Sequence, residues 1–163
     1  MGSPSDTELL ALVTALAERY TAQGLILASA ESCTGGWLAK LCTDLAGSSA
    51  WFDAGFVTYS NQAKQTMLGV TASSLDGHGA VSEAVVLEMV TGALARSRAD
   101  WAVAISGIAG PGGGSADKPV GTVWCAWGQR NAPPRAQRCQ FAGDRDAVRR
   151  LALVQALQGL LDA

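Results

Sequence analysis

The stretch LILASAESCTGGWLAKLCTDL, residues 25–45, contains a short apolar run, a polar turn and a helical pattern in direct succession. The run LILASA (25–30) is too short for a helix and predicts a buried strand. Gly35 and Gly36 are poor helix residues, but the apolar side chains after them keep helical spacing up to residue 45. The order therefore predicts a strand that leads through a polar turn into a helix.

Further elements are predicted on both sides of this unit. Apolar spacing predicts helices over 6–20, 61–70, 82–98 and 144–161. The helix over 6–20 is capped by Ser5 or Asp6 and ended by Gly24. Ser82 caps the helix over 82–98, and Asp144 lies at the start of the last helix. Strands are predicted over 53–60, 100–110, 118–128 and 134–141, and the segment VTASSLDGHGAV (70–81) is predicted to be a loop.

Strands and helices alternate early in the chain, whereas the last two strands follow each other directly. This order favours a mixed sheet with helices on both faces over an all-parallel sheet. We therefore expect an α/β fold, a three-layer α/β/α arrangement in a single domain over 1–163.

Composition excludes several classes of protein. The chain has 163 residues, a net charge of −2 and 16% charged residues, so it lacks the basic field that a nucleic-acid-binding protein needs. No basic segment precedes an apolar run at the N-terminus, and no apolar run approaches the length of a membrane span, so we expect a cytoplasmic protein without a membrane partner. The 48% apolar content and five tryptophans favour a homo-oligomer.

Metal and histidine chemistry find little support in the sequence. The four cysteines are far apart without a CxxC pair, and the only histidine, His78, lies in the glycine-rich segment LDGHGA. A Ser-His-Asp triad would depend on this one residue, and a solvated loop side chain is its commoner role. We expect neither a metal site nor a cofactor.

The turn ESCTGG is a candidate catalytic site. The first N–H groups of a helix lack intrahelical partners and carry partial positive charge, so the backbone of Cys33, Thr34, Gly35 and Gly36 is a candidate oxyanion site beside the hydroxyl of Ser32. The alternative is that the hydroxyl groups only cap the helix and the glycines only relieve packing.

A lysine can activate a serine when burial or a neighbouring charge lowers the pKa of its amine. Lys64, in TYSNQAK, is best placed, because it follows a predicted buried strand and has Tyr59 nearby. Lys40 and Lys118 are predicted on an amphipathic helix and in an open loop. A solvated helix lysine is the alternative for Lys64.

A second glycine cluster, SGIAGPGGGSADKPVG (106–121), matches neither the P-loop pattern nor GxGxxG. Its place after a strand still suits a ligand loop, so Gly107, Ala109, Gly110 and Gly112 are candidate substrate contacts. Arg145 and Arg149 are candidates for binding a phosphate, and surface ion pairs are the alternative. Glu31 is a further candidate, either fixing the turn or pairing with the lysine.

Six blocks in this order resemble the CinA C-terminal domain family: AESCTGGW (30–37), GFVTYSNQAK (55–64), HGAVSE (78–83), ISGIAGPGGGS (105–115), KPVGTVW (118–124) and GDRDAVRR (143–150). The resemblance spans about residues 8–161. It implies hydrolysis of the carboxamide of nicotinamide mononucleotide (NMN) to nicotinate mononucleotide and ammonia, a step of pyridine-nucleotide salvage. It also implies a serine-lysine mechanism, with Ser32 as nucleophile, Lys64 as base and Tyr59 in a proton-relay or positioning role.

Two other interpretations remain open on the sequence alone. Cys33 could serve as the nucleophile of a thiol amidase if a base generated its thiolate. A noncatalytic module would bind the nucleotide without releasing ammonia.

Overall fold

A single mixed sheet of five strands runs through the computed structural model, which describes residues 2–163. The strands are β1 (Leu27–Glu31), β2 (Phe52–Val57), β3 (Trp101–Gly107), β4 (Thr122–Gln129) and β5 (Arg135–Gln140). Their order across the sheet is β2-β1-β3-β4-β5. β1 is parallel to both of its neighbours, while β4 is antiparallel to β3 and to β5. The mixed sheet predicted from the sequence is confirmed.

Six helices accompany the sheet in the described part of the chain: α1 (Asp6–Gln23), α2 (Trp37–Thr43), α3 (Asn61–Leu68), α4 (Ala72–His78), α5 (Glu83–Ala95) and α6 (Arg145–Leu161), with a short 3₁₀ helix over Ser48–Ala50. The predicted caps Ser5, Ser82 and Asp144 each accept a hydrogen bond from the first turn of their helix, and Gly24 ends α1 in the left-handed conformation.

The prediction of a loop over 70–81 was wrong, because this segment contains α4. Thr71 caps the helix by accepting a hydrogen bond from the N–H of Ser74 at 3.1 Å. Leu75 is its one buried side chain and anchors it to the core. A single apolar anchor produces no helical periodicity, so the sequence pattern missed this helix.

The two faces of the sheet carry side chains of different size. One face presents Leu27, Val103, Ile105 and neighbouring large side chains to α1, α2 and α6. The opposite face presents mainly alanines to α5, with α3 and α4 beside it: Ala28, Ala30, Ala102, Ala104 and Ala126. Small side chains let a helix approach the sheet closely, so α5 packs almost directly on the strands.

Gly92 allows α5 to cross the end of α3 at close range, and this contact gives a stability prediction. A Cβ atom at position 92 would overlap the backbone carbonyl group of Leu68, which cannot rotate away. We expect Gly92→Ala to destabilise the fold by about 1–3 kcal/mol, the usual cost of overpacking, despite the better helix propensity of alanine. Urea denaturation monitored by circular dichroism measures this change.

Gly77→Ala is the matched control for this prediction. Gly77 also lies in a helix, but a Cβ atom at this position meets nothing within 4 Å. Its replacement is expected to be neutral or stabilising by up to about 1 kcal/mol. Equal stabilities for the two variants would contradict the close contact between α5 and α3.

The topology defines where a ligand is expected to bind. The chain leaves β1 to form β2 on one side and later returns to form β3 on the other side, so β1 lies at a topological switch point. Ligands of open α/β sheets bind outside the carboxyl ends of the strands at such a point. The turn after β1 lies at this position. No helix within residues 2–163 combines the length and the apolar character needed to cross a bilayer.

Candidate active site

Glu31, the last residue of β1, fixes the turn that follows it. One carboxylate oxygen accepts hydrogen bonds from the Thr34 hydroxyl at 2.7 Å and from the N–H of Leu38 at 2.9 Å, and the other accepts from the N–H of Ala39 at 3.1 Å. Only 1% of Glu31 is exposed. Its oxygens therefore satisfy the start of α2. Glu31 therefore fixes the turn, which was one of its two predicted roles. It does not pair with Lys64 and does not line the cavity over Ser32 that is described below.

Lys64 reaches Ser32 from the neighbouring strand-helix unit. Helix α3 begins after Ser60, whose hydroxyl accepts a hydrogen bond from the N–H of Ala63. Lys64 lies one turn into this helix, and its Nζ is 2.9 Å from Oγ of Ser32. Both side chains are buried, with 1% and 8% exposure respectively. The solvated helix lysine considered as an alternative is therefore excluded.

The surroundings of Lys64 make its ammonium group easier to deprotonate than that of an exposed lysine. Burial lowers the pKa of Lys64 to about 8, because it removes water from the ammonium form. The Nζ also lies 2.8 Å from the carbonyl oxygen of Thr58 and 3.2 Å from that of Tyr59. A neutral amine has two N–H bonds and one lone pair. With both N–H bonds on the two carbonyls, the lone pair is directed at the hydroxyl of Ser32.

The thiol of Cys33 lies beside Ser32 but in a different environment. Cys33 is 6% exposed and packs among the apolar side chains that contact α1, α2 and α6. Burial raises the pKa of this thiol to about 11, while the nearby charge of Arg149 acts in the opposite direction. At neutral pH almost no thiolate is present. This environment disfavours Cys33 as a nucleophile.

The N–H groups of the turn differ in their availability as donors to an oxyanion. The N–H of Ser32 donates to Ile105 and that of Gly35 donates to the carbonyl of Ser32 at 3.0 Å, so Gly35 is already engaged. The N–H groups of Cys33, Thr34 and Gly36 donate to no backbone or side-chain acceptor within residues 2–163. Of the four predicted oxyanion residues, Cys33, Thr34 and Gly36 therefore keep free donors.

A cavity of about 280 Å³ lies over Ser32 and Lys64. Five further predicted site residues line it: Cys33, Tyr59, Gly107, Ala109 and Arg145. Four residues that the sequence argument did not select also line it: Asn61, Ala80, Val81 and Ser106. All four lie inside the quoted sequence blocks, so proximity to the selected residues was the available signal.

The remaining predicted substrate contacts lie elsewhere. Gly110 uses its carbonyl oxygen to accept a hydrogen bond from Nη1 of Arg145 at 2.8 Å, and Gly112 is exposed outside the cavity lining. Arg149 lines a second cavity, of about 590 Å³, together with Thr34, Gly35 and Gly36. The glycine-rich loop and α6 therefore contribute Gly107, Ala109 and Arg145 to the cavity over Ser32 and Lys64, whereas Gly110, Gly112 and Arg149 do not line it.

Other ionisable groups lie away from this cavity. His78 is exposed at the end of α4, and Lys40 forms an exposed ion pair with Asp44. Lys118 donates from Nζ to the carbonyl oxygen of His78. Within residues 2–163 no group of three or more His, Cys, Asp or Glu side chains is arranged to hold a metal ion. Lys64 is thus the base candidate next to Ser32.

Comparison with known proteins identifies the family of the chain. The family model described as CinA C-terminal domain matches residues 9–163. The chain belongs to the CinA C-terminal domain family. The resemblance noted in the six sequence blocks is confirmed.

Relatives in this family include proteins with a stated activity. "Nicotinamide-nucleotide amidohydrolase PncC" of Escherichia coli K12 is 57% identical over 156 residues, covering 96% of this chain and 94% of the relative. The protein of the same name from Pseudomonas putida is 53% identical, with 92% and 93% covered. The crystal structure of the competence/damage inducible protein CihA from Agrobacterium tumefaciens superposes with a TM-score of 0.93 at 45% identity, covering 99% of this chain and 98% of that protein. The three-layer α/β fold is thus shared with other members of the CinA C-terminal domain family.

Proposed function

We propose that this protein hydrolyses the carboxamide of NMN to nicotinate mononucleotide and ammonia. The observation that carries the proposal is the 2.9 Å approach of the buried Nζ of Lys64 to Oγ of Ser32. The names of relatives that match nearly the whole chain support the choice of substrate. Such a reaction serves the salvage of pyridine nucleotides.

The first half of the reaction acylates Ser32. The neutral amine of Lys64 accepts the hydroxyl proton, and the serine oxygen forms a bond to the carboxamide carbon. The free N–H groups of the turn, those of Cys33 and Thr34 nearest to Ser32 in the chain, stabilise the oxyanion that develops. Lys64 then gives its proton to the amide nitrogen, the C–N bond breaks, and ammonia leaves an ester on Ser32.

The second half regenerates the enzyme. Lys64, again neutral, accepts a proton from water, and the hydroxide adds to the ester carbon. The bond to the serine oxygen breaks and Lys64 returns a proton to that oxygen. Nicotinate mononucleotide leaves, so one water is consumed and one ammonia is produced in each cycle.

Residues at the rim of the cavity bind the nucleotide. Tyr59 is 63% exposed there, and its hydroxyl lies 3.4 Å from Nη2 of Arg145. Arg145 is also fixed to the loop through the carbonyl of Gly110. A guanidinium held in this way is suited to bind the 5′-phosphate, while Tyr59 lies beside the entering ring or relays a proton. The homo-oligomer expected from the composition stays a prediction.

Ammonia release from NMN tests the proposal, and its pH dependence tests the role of Lys64. Only the neutral amine accepts a proton, and a pKa of about 8 leaves about one lysine in ten neutral at pH 7. We expect kcat/KM to rise about tenfold per pH unit below pH 8 and to level off above it. Chromatography of nicotinate mononucleotide and an ammonia assay, from pH 6 to 10, measure both products.

Two results would contradict the proposal. Binding of NMN without either product would indicate the noncatalytic module. A rate that still rises about tenfold per pH unit between pH 8 and pH 10, as a lysine with the ordinary pKa of 10.5 would give, would show that burial does not activate Lys64. Free nicotinamide is the control substrate. It has the same carboxamide as NMN but lacks the 5′-phosphate that is assigned to Arg145.

A further inference from the structure

Arg149 binds the back of the catalytic turn. Its Nε donates to the carbonyl oxygen of Cys33 at 3.1 Å, and its Nη2 donates to that of Thr34 at 3.2 Å. One planar guanidinium thus holds two consecutive carbonyls of the segment that follows Ser32. Its central carbon also lies 5.2 Å from the centre of the Trp37 ring, which supports the side chain from the first residue of α2.

The turn separates Arg149 from the reacting groups. Ser32 and Cys33 line the cavity that contains Lys64, whereas Arg149 lines the larger cavity with Thr34, Gly35 and Gly36. Within residues 2–163 no carboxylate forms an ion pair with Arg149. Its hydrogen bonds therefore go to the turn alone.

Peptide geometry connects these hydrogen bonds to the oxyanion donors. In a trans peptide the C=O and the next N–H point in opposite directions. Because Arg149 holds the Cys33 carbonyl on its own side, the N–H of Thr34 points away from Arg149. That N–H is one of the three free donors of the turn, with those of Cys33 and Gly36. A cation on the carbonyl also polarises the peptide and strengthens its N–H as a donor.

The turn needs such support because its own conformation is costly. Gly35 and Gly36 have φ values of +59° and +96°, in the left-handed region. Two adjacent glycines lose much conformational freedom when they are ordered. Glu31 holds the Thr34 side chain, and the Gly35 N–H bonds to Ser32. Arg149 is the group that holds the carbonyl of the peptide between Cys33 and Thr34.

We propose that Arg149 is a positioning residue that aims the Thr34 N–H at the oxyanion, and that it does not bind substrate. This inference rests on the proposed function of Ser32 and Lys64. The contacts of Arg149 then help to stabilise the oxyanion of the transition state, so their loss lowers kcat. A substrate contact would instead raise KM.

Arg149→Met and Arg149→Lys test this role, with Arg150→Met as the matched control. Arg150 also lies about as near the Trp37 ring, at 5.0 Å, but it donates to Pro4, Asp6 and Asp146 and not to the turn. We expect Arg149→Met to lower kcat for NMN about a hundredfold with KM within about twofold of wild type. Arg149→Lys is expected to lose about tenfold, because one ammonium replaces a two-point contact. Arg150→Met should keep its kcat within about threefold of wild type.

The pH profile and a substrate-independent probe complete the test. The rise of the rate with pH should be unchanged in Arg149→Lys, because Lys64 is not in contact with Arg149. Labelling of Ser32 by a fluorophosphonate uses the same oxyanion donors without NMN, so it should slow in both Arg149 variants and not in Arg150→Met. If the proteins show this order of labelling rates but wild type does not hydrolyse NMN, the inference about Arg149 stands and the proposed substrate is wrong.

The inference is overturned if KM rises while kcat is unchanged, or if labelling is equally fast in all variants. Circular dichroism and thermal unfolding establish that each variant is folded. If Arg149→Met does not fold, Arg149→Lys, which retains the positive charge, decides the question by the same comparison of kcat, KM and labelling rate.

Discussion

Ser32→Ala is expected to lower ammonia release from NMN by at least about a thousandfold, because loss of the nucleophile prevents formation of the ester. The substitution removes one buried oxygen whose partner is Nζ of Lys64 and leaves the backbone of the turn in place. Binding of NMN, measured by calorimetry, should be nearly unchanged. Mass spectrometry of wild type quenched during turnover should detect a nicotinoyl-nucleotide adduct on Ser32 that the variant lacks.

Cys33→Ala is the control that separates the serine from the adjacent thiol. This variant keeps the backbone N–H at position 33 and removes only the sulfur, which is buried and has a raised pKa. Its activity should stay within about tenfold of wild type. An active Ser32→Ala together with an inactive Cys33→Ala would establish a thiol amidase and end the serine mechanism.

Lys64→Met is expected to lower kcat by about a thousandfold or more, near the upper range for a general base. Methionine has nearly the same length and packs well at buried positions, so the loss reports the amine rather than an empty volume. Ammonia release and the labelling of Ser32 should both decrease, because each needs an activated hydroxyl.

Two comparisons sharpen the interpretation of Lys64. Lys40→Met removes an exposed lysine that is paired with Asp44 and should leave the rate unchanged. In Lys64→Ala, added ethylamine should restore part of the activity, with a pH dependence that follows the added amine. An undiminished rate in Lys64→Met would show that another group takes the proton of Ser32.

The sequence predicted the elements of the fold where periodicity and caps were strong. The first turns of α1, α5 and α6 are capped by Ser5, Ser82 and Asp144, and these local signals need no tertiary contact. The predicted strand over 53–60 ends earlier, at Val57. After that residue the carbonyls of Thr58 and Tyr59 lie against Lys64 instead of continuing a strand, and a pattern of side chains does not show where carbonyls point.

The sequence predicted which residues lie near Ser32 and Lys64, but not on which side of the turn each arginine of α6 lies. The sequence could associate Ser32 with Lys64, since each follows a strand of the same sheet at its carboxyl end. It could not separate Arg145 from Arg149. These residues are four apart on α6 and share a face of the helix. Arg145 nevertheless lines the cavity over Ser32 and Lys64, whereas Arg149 lies on the other side of the turn. That difference depends on how α6 crosses the sheet.

Tyr59 combines two tasks in separate parts of one residue. Its carbonyl oxygen accepts a hydrogen bond from Nζ of Lys64, while its ring extends into solvent at the mouth of the cavity. This contact belongs to the main chain and survives exchange of the side chain, as does the one from Thr58. The side chain at the entrance can therefore change without loss of the two main-chain contacts that hold Lys64. A comparison of side chains alone would miss these contacts.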